Sequence, residues 1–494
     1  MIKMRIEKSI YLTFGILLLV SFSSCKKYLS TVPDNRAEIN SISKLSQLLA
    51  TAYPNRDYLY FTEGASDNTE DKGNGKGTVE TNTSAPYFWQ DQGSGTGSPI
   101  DYWNSCYEAI AASNQALEAI QVNNFGDAAL PYKGEALVAR AYAHFMLVTF
   151  FAKEYTIGAA NDSPGIPYVT APEEKVIQPY DRGTVASTYA QIEKDLEQGM
   201  PLLTSSAYSV PKYHFTPTAA KAFAARFYLF KGDWKKVIDN ANLVVPNGDF
   251  TNNIRPINST LNSLGRDQFK QAFTQSGQKY NLLLSAQYSL YQRLTDQRYG
   301  FGDKLLRMYN AGGPSGNITG KAIANKTQGA FGNYTTYKYN EYFFITDQIA
   351  QVGYPYLIMP LFTTDEVLTN RAEALAQLGQ YDSALADVNL LLANNVVNYN
   401  ASTDAVTQAK VLAFYNTTDI KQGIIKLILD TKKTHFLQEG MRWMDILRNH
   451  LPVVHNYFAQ PFVETFLTLS PTDNRRLFQI PDEAKLSGVP LNPR

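Results

Sequence analysis

Thr363 to Val388 reads TTDEVLTNRAEALAQLGQYDSALADV. Thr363, with Glu366 three residues on, has the spacing of a capping box that opens a helix. Val367, Ala372, Leu375 and Leu378 follow at helical intervals, and Gly379 stops the run. Tyr381, Ala384, Leu385 and Val388 then begin a second helix. The stretch predicts two antiparallel helices joined by a glycine turn.

Thr216 to Ala241, TPTAAKAFAARFYLFKGDWKKVIDNA, repeats the arrangement. Thr216-Pro217 opens a helix through Ala220, Phe223, Ala224 and Phe227, which stops at Gly232; Trp234, Val237, Ile238 and Ala241 mark its partner. Both copies share glycine, one residue, an aromatic, two residues, then a small or β-branched residue. Glycine ends the first helix, the ring wedges between the partners, and the small residue lets them approach. This is the tetratricopeptide type of hairpin in degenerate form, a unit that stacks into concave surfaces. Two unrelated helical hairpins are the plainer alternative.

Working outward, helices are expected over Ile39–Leu49, from Ser98-Pro99 through Ile120, from Tyr132 to Ala152, and near Thr184–Met200. Residues 62–98 form a long irregular segment rich in Gly, Ser, Thr and Asn, with Tyr87, Phe88 and Trp89 embedded. Residues 246–362 lose helical period apart from a stretch near Asn281–Arg293, and carry Tyr, Gly and Asn clusters expected to shape a recognition surface. From Thr418 the chain reads helical through Arg448 and extended to Arg494.

A search for catalytic patterns returns little. His144, His214, His435, His450 and His455 are scattered, and no HExxH or paired CxxC spacing occurs, so neither a metal nor another cofactor is expected. Gly316 to Ala322 misses the phosphate-loop spacing by one residue and lacks its Ser or Thr. No GxSxG elbow is present. Carboxylates are plentiful, and nothing singles out a pair spaced for glycoside hydrolysis. Aromatic loops remain. Sugar rings offer C–H faces and hydroxyl rims, which suit stacking on aromatic rings beside Asp, Asn and Arg. Trp89 with Gln90 and Asp91, and Asp296, Arg298, Tyr299 and Phe301, have that composition.

The amino terminus has a basic start (Lys3, Arg5, Lys8), then an apolar run from Ser9 to Phe22, then Ser23, Ser24 and Cys25. That is the pattern of a secretory signal peptide ending at a lipoprotein cysteine, too short for a stable bilayer span. The mature chain is expected to begin at Cys25 and to hang from a membrane by lipid, which needs more than one acyl chain. Removing residues 1–24 takes away three basic residues and one acidic one, moving the formal charge from 0 to −2. Such a chain has no electrostatic footprint for nucleic acid. With Cys25 lipidated, Cys106 has no disulfide partner.

Taken in order, several segments resemble the SusD/RagB family of outer-membrane nutrient-binding lipoproteins of Bacteroidetes. They are Cys25-Lys-Lys-Tyr-Leu-Ser with Pro33; Tyr102-Trp103 through Tyr107, Ile110, Asn114 and Leu117; and Gly134-Glu135-Ala136 with Arg140-Ala141. Arg182 to Leu196, Ala219 to Trp234, and Arg371-Ala372-Glu373-Ala374 to Gly379 with Asn389 continue the series. Glu439-Gly440-Met441-Arg442-Trp443-Met444-Asp445-Ile446-Leu447-Arg448, Ile480-Pro481 and Asn492-Pro493 close it. Lys26 and Lys27 stand where members often carry acidic residues.

The resemblance implies a mainly α fold, an α-helical superhelix with tetratricopeptide-like hairpins and an irregular loop-rich subdomain. It implies a signal peptide at 1–24, an N-terminal helical region at 25–245, a ligand-recognition subdomain at 246–362 and a C-terminal helical region at 363–494. It further implies a non-enzymatic receptor, lipid-anchored through Cys25 at the outer membrane and exposed at the cell surface. Such a receptor would cap a SusC-like TonB-dependent transporter and deliver an oligosaccharide to it, without cofactor or metal. Signature residues such as Arg442 and Trp443 are expected to be scaffold. The family's ligand site varies, so Asp67, Trp89, Arg298 and Tyr299 are candidates for ligand binding from their residue types alone. Alternatives are a peptide-binding member of the family, a lipid-anchored glycoside hydrolase, and a helical scaffold that binds only proteins.

Overall fold

The two hairpins form where the glycine pattern puts them. The structure, a computed structural model, describes residues 39–173, 175, 177–293, 296–310, 317–460 and 462–494. The apolar leader, Cys25 and the tether after it lie outside the described residues. By its contacts the chain divides after Asn40, and Ser41–Arg494 forms one compact unit.

In chain order the helices are α1 Ile42–Leu49, α2 Leu59–Ala65, α3 Thr81–Tyr87, α4 Pro99–Asn123, α5 Leu130–Phe151 and α6 Val185–Gly199. They continue with α7 Pro217–Lys231, α8 Trp234–Asn242, α9 Arg266–Thr274, α10 Asp303–Leu306 and α11 Thr364–Gln377. The last are α12 Tyr381–Asn395, α13 Ala401–Asp404, α14 Gln408–Tyr415, α15 Ile420–His435 and α16 Met441–Arg448. The strands are β1 Glu70–Asp71, β2 Asn281–Tyr288, β3 Tyr299–Gly300, β4 Gln328–Ala330, β5 Asn333–Thr335, β6 Glu341–Asp347, β7 Val352–Thr363, β8 Val453–Gln460 and β9 Val463–Leu469. The fold is mainly α.

Every side chain from Gly134 to Phe151 is buried, which makes α5 the central helix, packed between α4 and α6. Arg140 fastens the three together. Its guanidinium donates to both oxygens of Asp195 on α6 at 2.7 and 2.8 Å and to Asn114 on α4 at 2.8 Å. The α7–α8 and α11–α12 hairpins turn at Gly232 and Gly379, with φ of 80° and 77°, a region that L side chains avoid. Thr216 and Thr363 accept the backbone N–H three residues on, as the caps predict. Glu366 departs from the expected capping box. Its carboxylate turns instead to Arg226 on α7, with Nε–Oε1 and Nη2–Oε2 at 2.5 and 2.6 Å. A buried arginine competes for that carboxylate more strongly than one backbone N–H does.

The stretch near Asn281–Arg293 is corrected: Asn281–Tyr288 is a strand, β2, the edge of an antiparallel sheet of order β2-β7-β6. Leu282, Leu283 and Leu284 are all buried, so both faces are covered and the alternation that marks a half-exposed strand is lost. Pairing with β7, from Asn281 opposite Thr363 to Tyr288 opposite Tyr356, decides its conformation. The tail continues as the antiparallel β8–β9 hairpin before its closing irregular segment. Among the described residues, no helix is long and apolar enough to cross a membrane.

Candidate functional site

Three chain segments distant in sequence meet at a pair of two-residue strands. β1 pairs with β3, Glu70 opposite Gly300 and Asp71 opposite Tyr299. Asp71 is the knot. It takes a bidentate pair from Arg298 at 2.8 Å for each bond, and accepts from the backbone N–H of Gly73 at 2.8 Å and of Phe458 at 2.9 Å. Arg298 also donates to the Phe458 carbonyl at 2.8 Å, so β8 is drawn into the same network. Asn456 on β8 reads the Asp71 backbone twice, accepting its N–H and donating to its carbonyl.

Beneath this knot runs a column of rings. Tyr299 stacks on Tyr87 with centroids 4.6 Å apart, Tyr87 on His455 at 4.2 Å, and His455 on Trp89 at 4.6 Å. The Tyr87 hydroxyl donates to the Asn456 carbonyl, and the Trp89 Nε1–H to the carbonyl of Ala65 at 2.9 Å. Both nitrogens of His455 face carbonyls, of Tyr87 and of Ser66. The column is buried, and these polar atoms are engaged, so it positions the loops above it.

At the surface, exposed rings alternate with paired polar groups. Phe331, at the β4–β5 turn, is 87% exposed, and Phe466 on β9 is 63% exposed. Lys304 pairs with Glu464 and sits over the Phe466 ring. Lys72 donates to Asn333, which donates in turn to Asp296 at 2.7 Å. The Tyr334 hydroxyl donates to Asp303 at 2.9 Å. Phe458 lies against Gly73, where a Cβ would come 3.7 Å from its ring.

Between these groups a cavity of about 50 Å³ runs inward, lined by Tyr60, Glu63, Asn68, Lys72, Tyr299 and Tyr334 among others. Glu63 is buried on α2, and its Oε1 accepts the Gly440 N–H at 2.6 Å. Burial pushes its carboxyl up to about 7, against the opposing pull of that N–H. The folded protein therefore holds a proton on Glu63 between about pH 4.5 and 7, where the unfolded chain has released it. Stability is expected to fall as pH rises through that window, by about 1.4 kcal/mol for each pH unit crossed. Glu63→Gln should remove this share, so the stability difference between variant and wild type, from urea unfolding at about pH 5 and pH 8, should favour the variant at the higher pH.

The four candidates chosen by residue type fall in three places. Arg298 and Tyr299 lie at the knot, Tyr299 on the cavity wall, with the Arg298 guanidinium 5.3 Å from the Tyr299 ring. Trp89 closes the far end of the column and borders a separate small cleft with Asp91, Gln92 and Arg475. Asp67 is apart from both, accepting from Arg442 at 2.7 and 3.0 Å and from Lys433 at 2.9 Å. Burial alone would raise its carboxyl, but these two cations override it and hold it well below the usual carboxylate range. Lys321, of the imperfect phosphate-loop motif, pairs with Asp404. Sequence reasoning misses Phe331, Phe458, Phe466 and the Glu70–Lys72 segment. The signal for the hairpin rings is a run of β-branched and aromatic residues from Val453 to Leu469, broken by Gln460-Pro461.

A family model described as starch-binding associating with outer membrane matches residues 27–229, and the model of the SusD family matches residues 225–486. The chain belongs to the SusD family. Solved structures agree on the fold. A SusD superfamily protein from Bacteroides thetaiotaomicron VPI-5482 superposes with a TM-score of 0.61 at 18% identity, covering 92% of this chain and 100% of its own. A SusD-like carbohydrate binding protein from Bacteroides vulgatus ATCC 8482 gives 0.60 at 15% identity, with 91% and 97% covered. A laminarin binding SusD-like protein gives 0.58 at 15% identity, with 91% and 98% covered. Among curated proteins, none matches this chain in sequence.

The residues that carry the SusD resemblance are mostly interior. Trp443 is fully buried, and Arg442 is spent on Asp67. Asp445 pairs with Lys432 and Arg448, and Arg448 reaches Glu373 in α11 at 2.5 and 2.7 Å. This segment joins α15, α16 and α11.

Proposed function

We propose that this SusD-family chain is a non-catalytic receptor for neutral oligosaccharides, and that it binds them on the face bordered by Phe331, Tyr334, Phe458 and Phe466. The observation that carries the reading is the composition of that face. Two exposed rings, Phe331 and Phe466, and two half-buried ones, Tyr334 and Phe458, lie among charged and amide groups that are already paired, so the surface offers stacking faces and hydrogen bonds with little net charge. The carboxylates along that face are committed: Asp71 to Arg298, Glu464 to Lys304, and Glu70 to the backbone N–H groups of Lys304 and Leu305. Glu63, whose carboxyl burial holds at about 7, lies enclosed behind them, so absence of turnover is tested together with binding. Within this reading residues 246–362 supply Phe331 and Tyr334, with Arg298 and Tyr299 setting the floor of the site, while Phe458 and Phe466 come from the C-terminal β8–β9 hairpin. Asp67 and Trp89 support the loops from behind. Acylation at Cys25 would tether the receptor to the outer membrane, and its helical hairpins would meet a SusC-like TonB-dependent transporter that imports the cargo. The family's association with starch binding and the outer membrane, and a laminarin-binding relative of the same fold, support this assignment.

Titration calorimetry of the mature chain against a panel of neutral α- and β-glucans, with starch and laminarin fragments included, tests it. Binding of at least one glucan with a micromolar to millimolar dissociation constant is expected, without production of reducing ends. Failure of every glucan to bind, or turnover of one, would refute the reading.

A further inference from the structure

Within the cavity behind the ring-lined face, three side chains keep atoms that no protein group reaches at full hydrogen-bond distance, although the Asn68 amide faces the Glu63 carboxyl closely enough to draw its pKa down. These are the Tyr60 hydroxyl, Oε2 of Glu63, and both the oxygen and the nitrogen of the Asn68 amide. All three line the cavity, and they are only 2%, 3% and 3% exposed. Buried polar groups left unpaired cost roughly 1–3 kcal/mol each, so such a cluster calls for a polar occupant. Tyr60 and Glu63 are three residues apart on α2 and so share one helical face. Thr69 and Gln438 line the same space, whose partly exposed lining residues Lys72, Thr83, Gly300 and Tyr334 mark its mouth. That mouth opens among the groups assigned above to saccharide binding.

Size and chemistry narrow the occupant. A cavity of about 50 Å³ holds roughly three or four water-sized groups. A pyranose ring is too large for it, whereas a one-carbon arm ending in a hydroxyl fits. The unpaired set is mixed: the Asn68 oxygen accepts, the Asn68 nitrogen donates, the Tyr60 hydroxyl does either, and Glu63 Oε2 donates while the carboxyl is protonated and accepts once it ionises. An anionic group offers only acceptors and would leave the Asn68 oxygen without a donor. A cation would meet the Lys72 ammonium and leave the Asn68 nitrogen without an acceptor. A hydroxyl donates and accepts at once and answers the whole set.

We propose that this cavity is a specificity subsite that takes the exocyclic hydroxymethyl group of one sugar unit, with Tyr60, Glu63 and Asn68 as its hydrogen-bond partners. The inference rests on the receptor reading and deepens it: the exposed rings hold the sugar faces, and the cavity selects for a 6-hydroxyl. A site built to hydrogen-bond a hydroxyl discriminates strongly against an analogue that lacks it, because its own buried groups then stay unpaired.

The test uses the mature full-length chain and the tightest-binding glucan of the panel, compared with the same glucan chemically deoxygenated at the 6-positions. Wild type should bind the deoxy form at least tenfold more weakly. Tyr60→Phe, which deletes one hydroxyl and no protein hydrogen bond, should keep its melting temperature. It should weaken the parent glucan several-fold and narrow the gap to the deoxy form. Asn68→Leu should do the same more strongly, and Tyr60→Phe stands alone if that variant fails to fold. Equal binding of parent and deoxy glucan, or unchanged affinity in Tyr60→Phe, overturns the subsite and leaves the receptor assignment standing. No binding of any glucan overturns both.

Discussion

Glu366→Ala should lower the unfolding free energy by about 3–5 kcal/mol, the range for breaking a buried ion pair from one side. The reason is what the substitution leaves behind. Arg226 and Glu366 are 1% and 3% exposed, and the guanidinium, besides its two bonds to the carboxylate, donates to the Leu361 carbonyl at 2.7 Å and lies 4.0 Å from the Phe362 ring. Without Glu366 a charge stays enclosed among apolar side chains, with one short bond to a carbonyl. The pair also joins α7 to α11, the opening helices of the two hairpins, so its loss loosens their packing together. Removing both partners in an Arg226→Met/Glu366→Leu variant should restore most of the stability, since a well-packed apolar replacement avoids the stranded charge. Chemical denaturation of the two variants beside wild type checks both statements. A loss below about 1 kcal/mol in Glu366→Ala would show that water reaches the site.

The second large effect concerns binding. Phe331→Ala combined with Phe466→Ala should weaken glucan binding about 100-fold, taking each stacked ring as worth about 1.4 kcal/mol. Both rings lie in solvent, so the melting temperature should move little. Calorimetry and a thermal melt on the same preparation separate the two readouts. Full retention of affinity would place the saccharide elsewhere on the molecule.

What is legible in the sequence follows from where the information is local. The hairpin pairs are readable because Thr216, Gly232, Thr363 and Gly379 act on their own neighbours, through caps and left-handed turns. The order of family-like segments is readable because those residues are interior couplings, such as Asn114 with Arg140 and Asp195, where few residue types satisfy the geometry. The strand at Asn281–Tyr288 is not, because its conformation comes from β7, on the far side of a long intervening segment. The same holds for the site. Arg298 and Tyr299 can be picked by residue type, yet nothing local tells that Asp71 and the backbone of Phe458 would meet them. Composition also promotes Trp89 and Asp67, one buried in the ring column and one held by Arg442 and Lys433. Tyr60, Glu63 and Asn68 become visible as a group only once their missing partners can be counted in space.

The column of Tyr299, Tyr87, His455 and Trp89 draws its members from three widely separated stretches of chain. Loops clamped to a shared spine cannot wander independently, so a ligand bound on them would have little disorder to freeze out. It also separates support from surface: substitutions at exposed tips such as Phe331 and Phe466 leave the buried spine intact.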